Sequence, residues 1–443
     1  MLSAPCRRLA VMLVALGFAL SCVAQAPKLD PALPLQHTDN GTNSAAAQRA
    51  HYVVLVSLDG FRWDYAKRDG ARHLLALGKA GAWAPEGMIP SYPSLTFPNH
   101  YTIVTGLFPE HHGLVANSFY DPAKKARYAI SDAAAVADGS WYSGTPLWSL
   151  AESQGMRSAC LFWPGSEAEI GGHRPTWYAK FDSKTEGSDA VQQARIEDAV
   201  ALLTLPAEER PHFITIYYNE PDHEGHEYGP DAPQTKAAVL KMDNMVGKLK
   251  AALDKTRLPI DLVVISDHGM AKVEGRWVNL DDFTDLKDFD TSGSLLYPKS
   301  EEDAAKAYNA LKHASADFFV YRRKDVPAGL NYNQNPREGD PVIVPTGAYM
   351  IRAKKPTGDK PDQAPPAGMH GYDPHTMADM KASFFAEGPD IVAGKLVKPF
   401  ENVNLYPWMA HMLGLTAPKT DGSLNILAAT LRDNGGETPE SPQ

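Results

Sequence analysis

The sequence predicts an α/β fold, with a central, mainly parallel sheet covered by helices on both faces. Three observations predict it: short apolar runs, helix-like segments between them, and polar clusters that close each run. The runs are His51 to Leu58 (HYVVLVSL), His212 to Tyr218 (HFITIYY) and Leu258 to Ser266 (LPIDLVVIS). Rich in β-branched and aromatic residues and flanked by turn formers, they read as buried strands. Segments 71–80, 146–155, 189–204 and 232–253 carry helical patterning, the last through Ala238, Leu240, Met242, Met245, Val246 and Leu249. Strands alternating with helices imply parallel pairing with both faces covered. Ligands of such sheets bind beyond the carboxyl ends of the strands. The polar clusters sit at those ends, so they can converge although far apart in sequence.

The first residues read as a leader rather than as fold. Arg7 and Arg8 precede an apolar run from Leu9 to Leu20, and Ala24-Gln25-Ala26 offers a small-residue cleavage pattern. These are the features of a secretory signal peptide over residues 1–26. The run is far short of the roughly 20 apolar residues of a spanning helix, so no membrane span is expected in the mature chain. Leu20 stands one place too close to Cys22 for the usual lipoprotein pattern. A periplasmic or secreted location follows as the expectation. Cys6 and Cys22 lie in the leader, which leaves Cys160 and no internal disulfide.

Taking the two leader arginines from the 43 basic residues leaves 41 against 53 acidic ones, a net charge of −12. Such a surface argues against binding a nucleic-acid duplex, whose phosphates reward Lys and Arg stripes. A phosphorylated small molecule then needs local positive charge, which bound metal ions would supply. Residues 27–49 read as a flexible lead-in, 50–432 as the catalytic domain and 433–443 as a polar tail. Within the domain, about 275–365 is rich in charge, Pro, Asn and Gly, with a helix expected over 301–314 and strands over 317–322 and 341–352. That stretch reads as an inserted α/β subdomain near the mouth of the site. The core resumes at Met369, with a strand over 382–386 and a last helix near 403–414.

Four polar clusters carry the candidate chemistry. Asp267-His268 offers a hard oxygen and a borderline nitrogen in one turn, which suits zinc. Asp222 and His226 are four apart, so one helical turn would put them on one face. Asp59 directly follows a strand, and His370 is flanked by Gly371. Any one of these is more often a turn or cap than a ligand. Four in one chain are hard to explain that way. The nucleophile is sought in Pro93-Ser94-Leu95-Thr96-Phe97-Pro98, with Thr96 placed just before a helix that opens near Pro98. From this segment alone, a helix cap at Thr96 or Ser94 is the favoured reading.

The longer strings VSLDGFRWDY, PSLTFPNHYTIVTGLFPEHHGLVAN, LFWPGSEAEI, NEPDHEGHEYGP, VISDHGM and GMHGYDP resemble the nucleotide pyrophosphatase/phosphodiesterase family of the alkaline phosphatase superfamily. The resemblance runs from His51 to about Asn425 and implies an alkaline-phosphatase-like fold in an exported bacterial member. It implies two zinc ions, one held by Asp222, His226 and His370, the other by Asp59, Asp267 and His268 and by the Thr96 oxygen, which is thus a metal ligand as well. It makes Thr96 the nucleophile of a phospho-threonine intermediate, and Asn117 the donor to a phosphoryl oxygen. By the same resemblance Phe97 lies against the nucleobase or leaving group, and Tyr178 forms a second wall, with a packing role equally open.

The implied activity is cleavage of phosphodiester and pyrophosphate bonds of nucleotides, releasing nucleoside monophosphates. Its rivals are an alkaline-phosphatase-type monoesterase and a lipid or choline phosphodiesterase of the same superfamily. Phe162 to Glu167 (FWPGSE) carries no Lys or Arg to grip a monoester's extra charge, which favours diesters. A threonine at position 96 disfavours sulfatases, which use a modified Cys or Ser. A zinc-binding protein without catalysis finds no support, since each expected ligand is present.

Overall fold

The computed structural model describes residues 27–356 and 363–432. The expected leader (1–26) and polar tail (433–443) lie outside the described residues. Nine strands form the main sheet: β1 Gln36–His37, β2 Tyr52–Leu58, β3 Ala82–Trp83, β4 Ser158–Leu161, β5 Trp177–Tyr178, β6 Phe213–Tyr218, β7 Ile260–Ile265, β8 Phe384–Glu387 and β9 Lys395–Leu396. They lie in the order β1-β5-β4-β6-β2-β7-β8-β3-β9. The middle of the sheet is parallel: β2 pairs with β6 on one side and β7 on the other. Only β1 and β8 run against their neighbours.

Alternation along the strands decides which helix covers which face. Val53, Leu55, Val263, Ile265 and Phe384 join one core cluster, against residues of helices Thr96–Thr105, Leu147–Ser153 and Leu405–Met412. Val54, Val56, Leu58, Ile214, Ile216, Leu262 and Val264 join the other, against helices Arg72–Ala80, Asp189–Leu203 and Pro233–Thr256. Burying a Val, Leu or Ile side chain stabilises by roughly 1.5–3 kcal/mol. Because both faces are buried, polar residues are pushed to the strand ends, where the site forms. Cys160 is a free thiol within β4, buried in the core. Among the described residues no helix is long and apolar enough to cross a membrane.

Residues 277–353 hold a smaller core of their own, built from Val278, Leu286, Phe289, Leu296, Leu311, Phe318, Val320 and Ile343. Its helix is Glu301–Leu311, and its strand pairs are Phe289–Ser292 with Leu295–Pro298 and Phe318–Tyr321 with Val342–Pro345. The continuous strand expected over 341–352 is divided. Val342–Pro345 pairs with Phe318–Tyr321, while Met350–Arg352 pairs with Trp277–Asn279. Pro345 has no N–H to continue a ladder, and the two pieces serve different sheets. This unit docks on the main domain through Arg337, whose Nε donates to Asp121 Oδ2 at 2.8 Å. The Tyr332 hydroxyl donates to the Val115 carbonyl at 3.0 Å.

Candidate active site

The parallel strands β2, β6 and β7 end side by side and deliver Asp59, Asp222 and Asp267 to one edge. Gly60 makes the crowding possible. It takes a φ of +66°, and a Cβ there would stand 2.9 Å from the Asp222 Cα. Asp222 opens the short helix Asp222–Tyr228, and His226 one turn on turns its Nε2 to Asp222 Oδ2 at 3.3 Å. His370 arrives from beyond residue 365, with Nε2 at 3.6 Å from Asp222 Oδ1. Its ring stacks on that of His268, with centroids 3.5 Å apart.

Two donor groups result. Asp59, Asp267 and His268 form one, and Asp222, His268 and His370 form the other, each with donor atoms within 4.8 Å of one another. His268 thus stands in both, and His226 reaches the second through Asp222. His268 Nε2 lies 2.9 Å from Asp267 Oδ2, 3.4 Å from Asp59 Oδ1 and 3.3 Å from the Thr96 hydroxyl.

Two features fit this set to metal ions. Asp59 Oδ1, Asp222 Oδ1 and Asp267 Oδ2 are inaccessible to solvent and have no hydrogen-bond partner. Unpaired anionic oxygens in such a place cost several kcal/mol unless a cation meets them. Each histidine also has Nδ1 against a backbone carbonyl: Gly368 for His226, Gly269 for His268 and Ser94 for His370, at 2.8–2.9 Å. That contact places a proton on Nδ1, so that in the neutral ring the Nε2 lone pair faces the carboxylates.

The electrostatics agree. Burial, reinforced by Asp267 and Asp222, pushes Asp59 well above the usual carboxylate range. Burial would raise Asp222 and Asp267 too, but His226 holds the first low and His268 the second. Against its own burial, His226 is lifted to about 9 by Asp222. Burial, with His268 adding to it, pushes His370 down to about 3. A cation entering such a set displaces protons from it.

Thr96 is the first residue of helix Thr96–Thr105, not the residue before it, and Leu95 takes the cap position. The cap reading fails for both candidates. Leu95 offers no side-chain acceptor, and Ser94 Oγ donates instead to the Tyr372 carbonyl at 2.8 Å. Thr96 therefore presents its hydroxyl to His268, at the positive end of the helix. Asn117 Oδ1 accepts from the Phe97 amide at 3.0 Å, which fixes the carboxamide and leaves its NH2 group to face elsewhere. Asn117 and His370 line a cleft of about 450 Å³, together with Tyr92, Trp277, Tyr332 and Tyr372. Phe97 is buried, 8% exposed, and Tyr178 is half-buried in β5 against the core; neither is among the lining residues of that cleft.

Tyr217 went unremarked in the sequence, because a tyrosine in an apolar strand reads as core. Its hydroxyl donates to Asp59 Oδ2 at 2.6 Å. His100 is wholly buried and bonds Ser57 Oγ through Nε2 at 2.8 Å. Its Nδ1 lies 2.8 Å from the Thr96 carbonyl and 3.3 Å from Asp267 Oδ2. Its place one helical turn after Thr96 was the available signal. Asp243 instead accepts from the backbone N–H groups of His73 and Leu74 at the start of helix Arg72–Ala80. His112 packs near the same helix as Thr96 through Thr102, His111 bonds Asp421, and Glu220 accepts weakly from the Glu224 amide.

Comparison with known proteins gives a consistent result. A family profile described as type I phosphodiesterase / nucleotide pyrophosphatase matches residues 53–373. An uncharacterized pyrophosphatase/phosphodiesterase of Schizosaccharomyces pombe is 33% identical over 91% of this chain and 84% of its own. Human ectonucleotide pyrophosphatase/phosphodiesterase family member 1 is 34% identical over 88% of this chain, which spans 43% of that longer protein. Among solved structures, murine ectonucleotide pyrophosphatase/phosphodiesterase 5 in an inactive threonine-to-alanine form, in complex with AMP, superposes with a TM-score of 0.78 at 29% identity. That match covers 86% of this chain and 100% of the other.

Proposed function

The chain belongs to the type I phosphodiesterase/nucleotide pyrophosphatase family and is an enzyme of that class, and from this premise we propose that it cleaves nucleotide diesters and pyrophosphates through Thr96 at a two-zinc centre. The observation that carries the proposal is the meeting of the Thr96 hydroxyl, Asp59, Asp267 and His268 around one point, beside the Asp222/His370 group. Mixed carboxylate and imidazole donors are those zinc favours. Asp222, His226 and His370 would hold one ion and Asp59, Asp267 and His268 the other. Bound there, the ions supply Lewis acidity toward the phosphoryl oxygens and ease deprotonation of the attacking hydroxyl and water.

The chain's own groups then divide the work. The Thr96 oxygen attacks phosphorus in line, its bond to phosphorus forming as the bond to the leaving alkoxide or phosphate breaks. The phospho-threonine so formed is hydrolysed by water from the opposite face, which returns the Thr96 hydroxyl and releases a monophosphate. Asn117, held by the Phe97 amide, supplies N–H donors to the developing charge on a phosphoryl oxygen. Phe97, next to Thr96 in the chain, flanks the nucleoside or leaving group; Tyr178, packed against the core in β5, fits the packing role better than that of a second wall. Two features of the murine relative support the reading: its complex with AMP and its inactivity after a threonine-to-alanine change.

The test compares p-nitrophenyl thymidine monophosphate with p-nitrophenyl phosphate, with and without EDTA, and follows nucleoside monophosphates from ATP. The expected pattern is faster diester turnover, loss in chelator and release of AMP. Activity that survives EDTA would remove the metals from the mechanism, and faster monoester turnover would transfer the chain to the monoesterases. The 1–26 leader and the periplasmic or secreted location belong to the same proposal, checked by N-terminal sequencing of exported protein. The lead-in expected over 27–49 is instead packed on the domain, since Gln36–His37 pairs with Trp177–Tyr178 and Asn43 donates to the Ala207 and Arg210 carbonyls.

A further inference from the structure

A second mixed cluster lies at the other end of the same strands. Asp261 sits in the first turn of the ladder of β7, an acid in an otherwise apolar strand, and is wholly buried. His51 immediately precedes the neighbouring β2, and Asp390 follows β8, which runs antiparallel to β7. The three side chains bring donor atoms within 4.8 Å of one another. β2 is seven residues long, so this point stands roughly 20 Å from Thr96 along the strand direction.

The cluster repeats the composition of the group around Thr96: two aspartates and one histidine. It repeats one distance as well, through the other ring nitrogen. His51 Nδ1 lies 2.9 Å from Asp390 Oδ2, matching the 2.9 Å between His268 Nε2 and Asp267 Oδ2. Asp261 Oδ1 accepts from the Asp390 amide at 3.0 Å, while Asp261 Oδ2 is inaccessible and without a hydrogen-bond partner. Gly388 makes this approach possible, since a Cβ there would stand 2.2 Å from Asp261 Oδ1. The chain thus wraps closely around an acid whose second oxygen accepts no hydrogen bond and whose carboxyl group lies against that of Asp390. Arg432 adds positive charge nearby and its amide donates to the Asp390 carbonyl, but its side chain is exposed and its Nε is spent on the Ile391 carbonyl.

We propose that His51, Asp261 and Asp390 form a separate structural site for a divalent cation of borderline character, zinc or manganese. Two carboxylates and one imidazole suit such ions, with water completing the shell on the half-exposed His51 side. The ion ties together three segments remote in sequence: the entry to β2, the start of β7 and the chain after β8. It would act through stability rather than through the reaction, since no residue of the cluster reaches Thr96.

The test is a metal count. Wild-type protein, Asp261→Asn and His51→Ala are equilibrated with micromolar zinc or manganese, passed over gel filtration and analysed by plasma mass spectrometry. The expected result is one equivalent fewer in each variant, with diester hydrolysis held within about twofold, because distant sites act independently. Equal equivalents in all three proteins would overturn the site and leave Asp261 and Asp390 sharing a proton. His51→Ala removes a half-exposed side chain, so it keeps the test decisive should Asp261→Asn fail to fold. After EDTA, added manganese should raise the melting temperature of the wild type more than that of His51→Ala; equal shifts would also overturn it.

Discussion

At the carboxyl ends of the central strands, Asp59, Asp267 and His268 meet beside Asp222 and His370; at the amino ends, His51, Asp261 and Asp390 meet. The two gatherings share residue types and close donor distances, yet they are built differently. At the carboxyl end the acids leave their strands in turns, and backbone carbonyls hold the histidines by Nδ1 so that Nε2 faces inward. A helix then delivers the Thr96 hydroxyl, and an open cleft stands alongside. At the amino end the acid lies within a strand, and the chain closes over it at Gly388. Acids and histidines alone therefore make a place for a cation. The positioned hydroxyl and the room beside it make a place for a reaction.

The largest expected effect sharpens that contrast. Thr96→Ala should lower kcat/KM by about 10⁴-fold or more, as removal of a nucleophile does elsewhere, while metal content is unchanged. Residual turnover near wild type, measured with a nucleotide p-nitrophenyl diester, would erase the chemical distinction between the two ends. Next in size is Asn117→Ala, which should reduce kcat by roughly 10²–10³-fold if its amide meets charge that develops only in the transition state. A rise in KM alone would reassign Asn117 to ground-state binding. Tyr217→Phe deletes the hydroxyl that donates to Asp59 Oδ2. Competition against a chelator should find metal affinity weaker by about 10-fold, the low end for loss of a ligand's supporting hydrogen bond.

A buried acid outside both gatherings bears on stability rather than on turnover. Glu338 is wholly buried, and neither carboxylate oxygen has a hydrogen-bond partner. Burial, with Glu110 adding to it and Arg323 opposing, pushes its pKa up to about 8 from an ordinary 4.5. Tyr92 and Tyr332 face it as well. Below pH 4.5 both folded and unfolded chains carry the proton, and the stability tied to it is complete. Between 4.5 and 8 only the folded chain keeps it, so stability declines by up to roughly 1.4 kcal/mol per pH unit. Above about 8 the loss levels off. Denaturant melts should show that slope in the wild type and a flatter profile in Glu338→Gln; parallel profiles would mean that Glu338 is ionised in the fold.

Much of this was legible in the sequence, and the reasons are specific. The runs ending at Asp59, Asn219 and Asp267 announce strands because both sheet faces are buried, which leaves polarity only at their ends. Asp222 and His226 announce themselves by helical spacing. His370 has no periodic pattern around it, and only the longer motif string singles it out. Tyr217 and His100 were silent because each looks like packing until its partner, Asp59 or Asp267, is seen across the sheet edge. The division of the strand over 341–352 depended on which partners were available, a property of the assembled subdomain. Asp261 did carry a signal, a lone acid inside LPIDLVVIS, but its meaning rests on two residues far away in the chain.

His370 is held through Nδ1 by the Ser94 carbonyl, across 276 residues of chain. A ligand set that spans so much sequence cannot assemble early in folding. Closing so long a loop carries an entropic cost, and contacts of high sequence separation slow the search for the native state. A chain emerging from synthesis would present Asp59, Asp222, Asp267 and His268 well before the residue that completes them. Maturation of the centre is thus expected to be among the last events of folding, gated by docking of the 369–372 segment against residues 94–95.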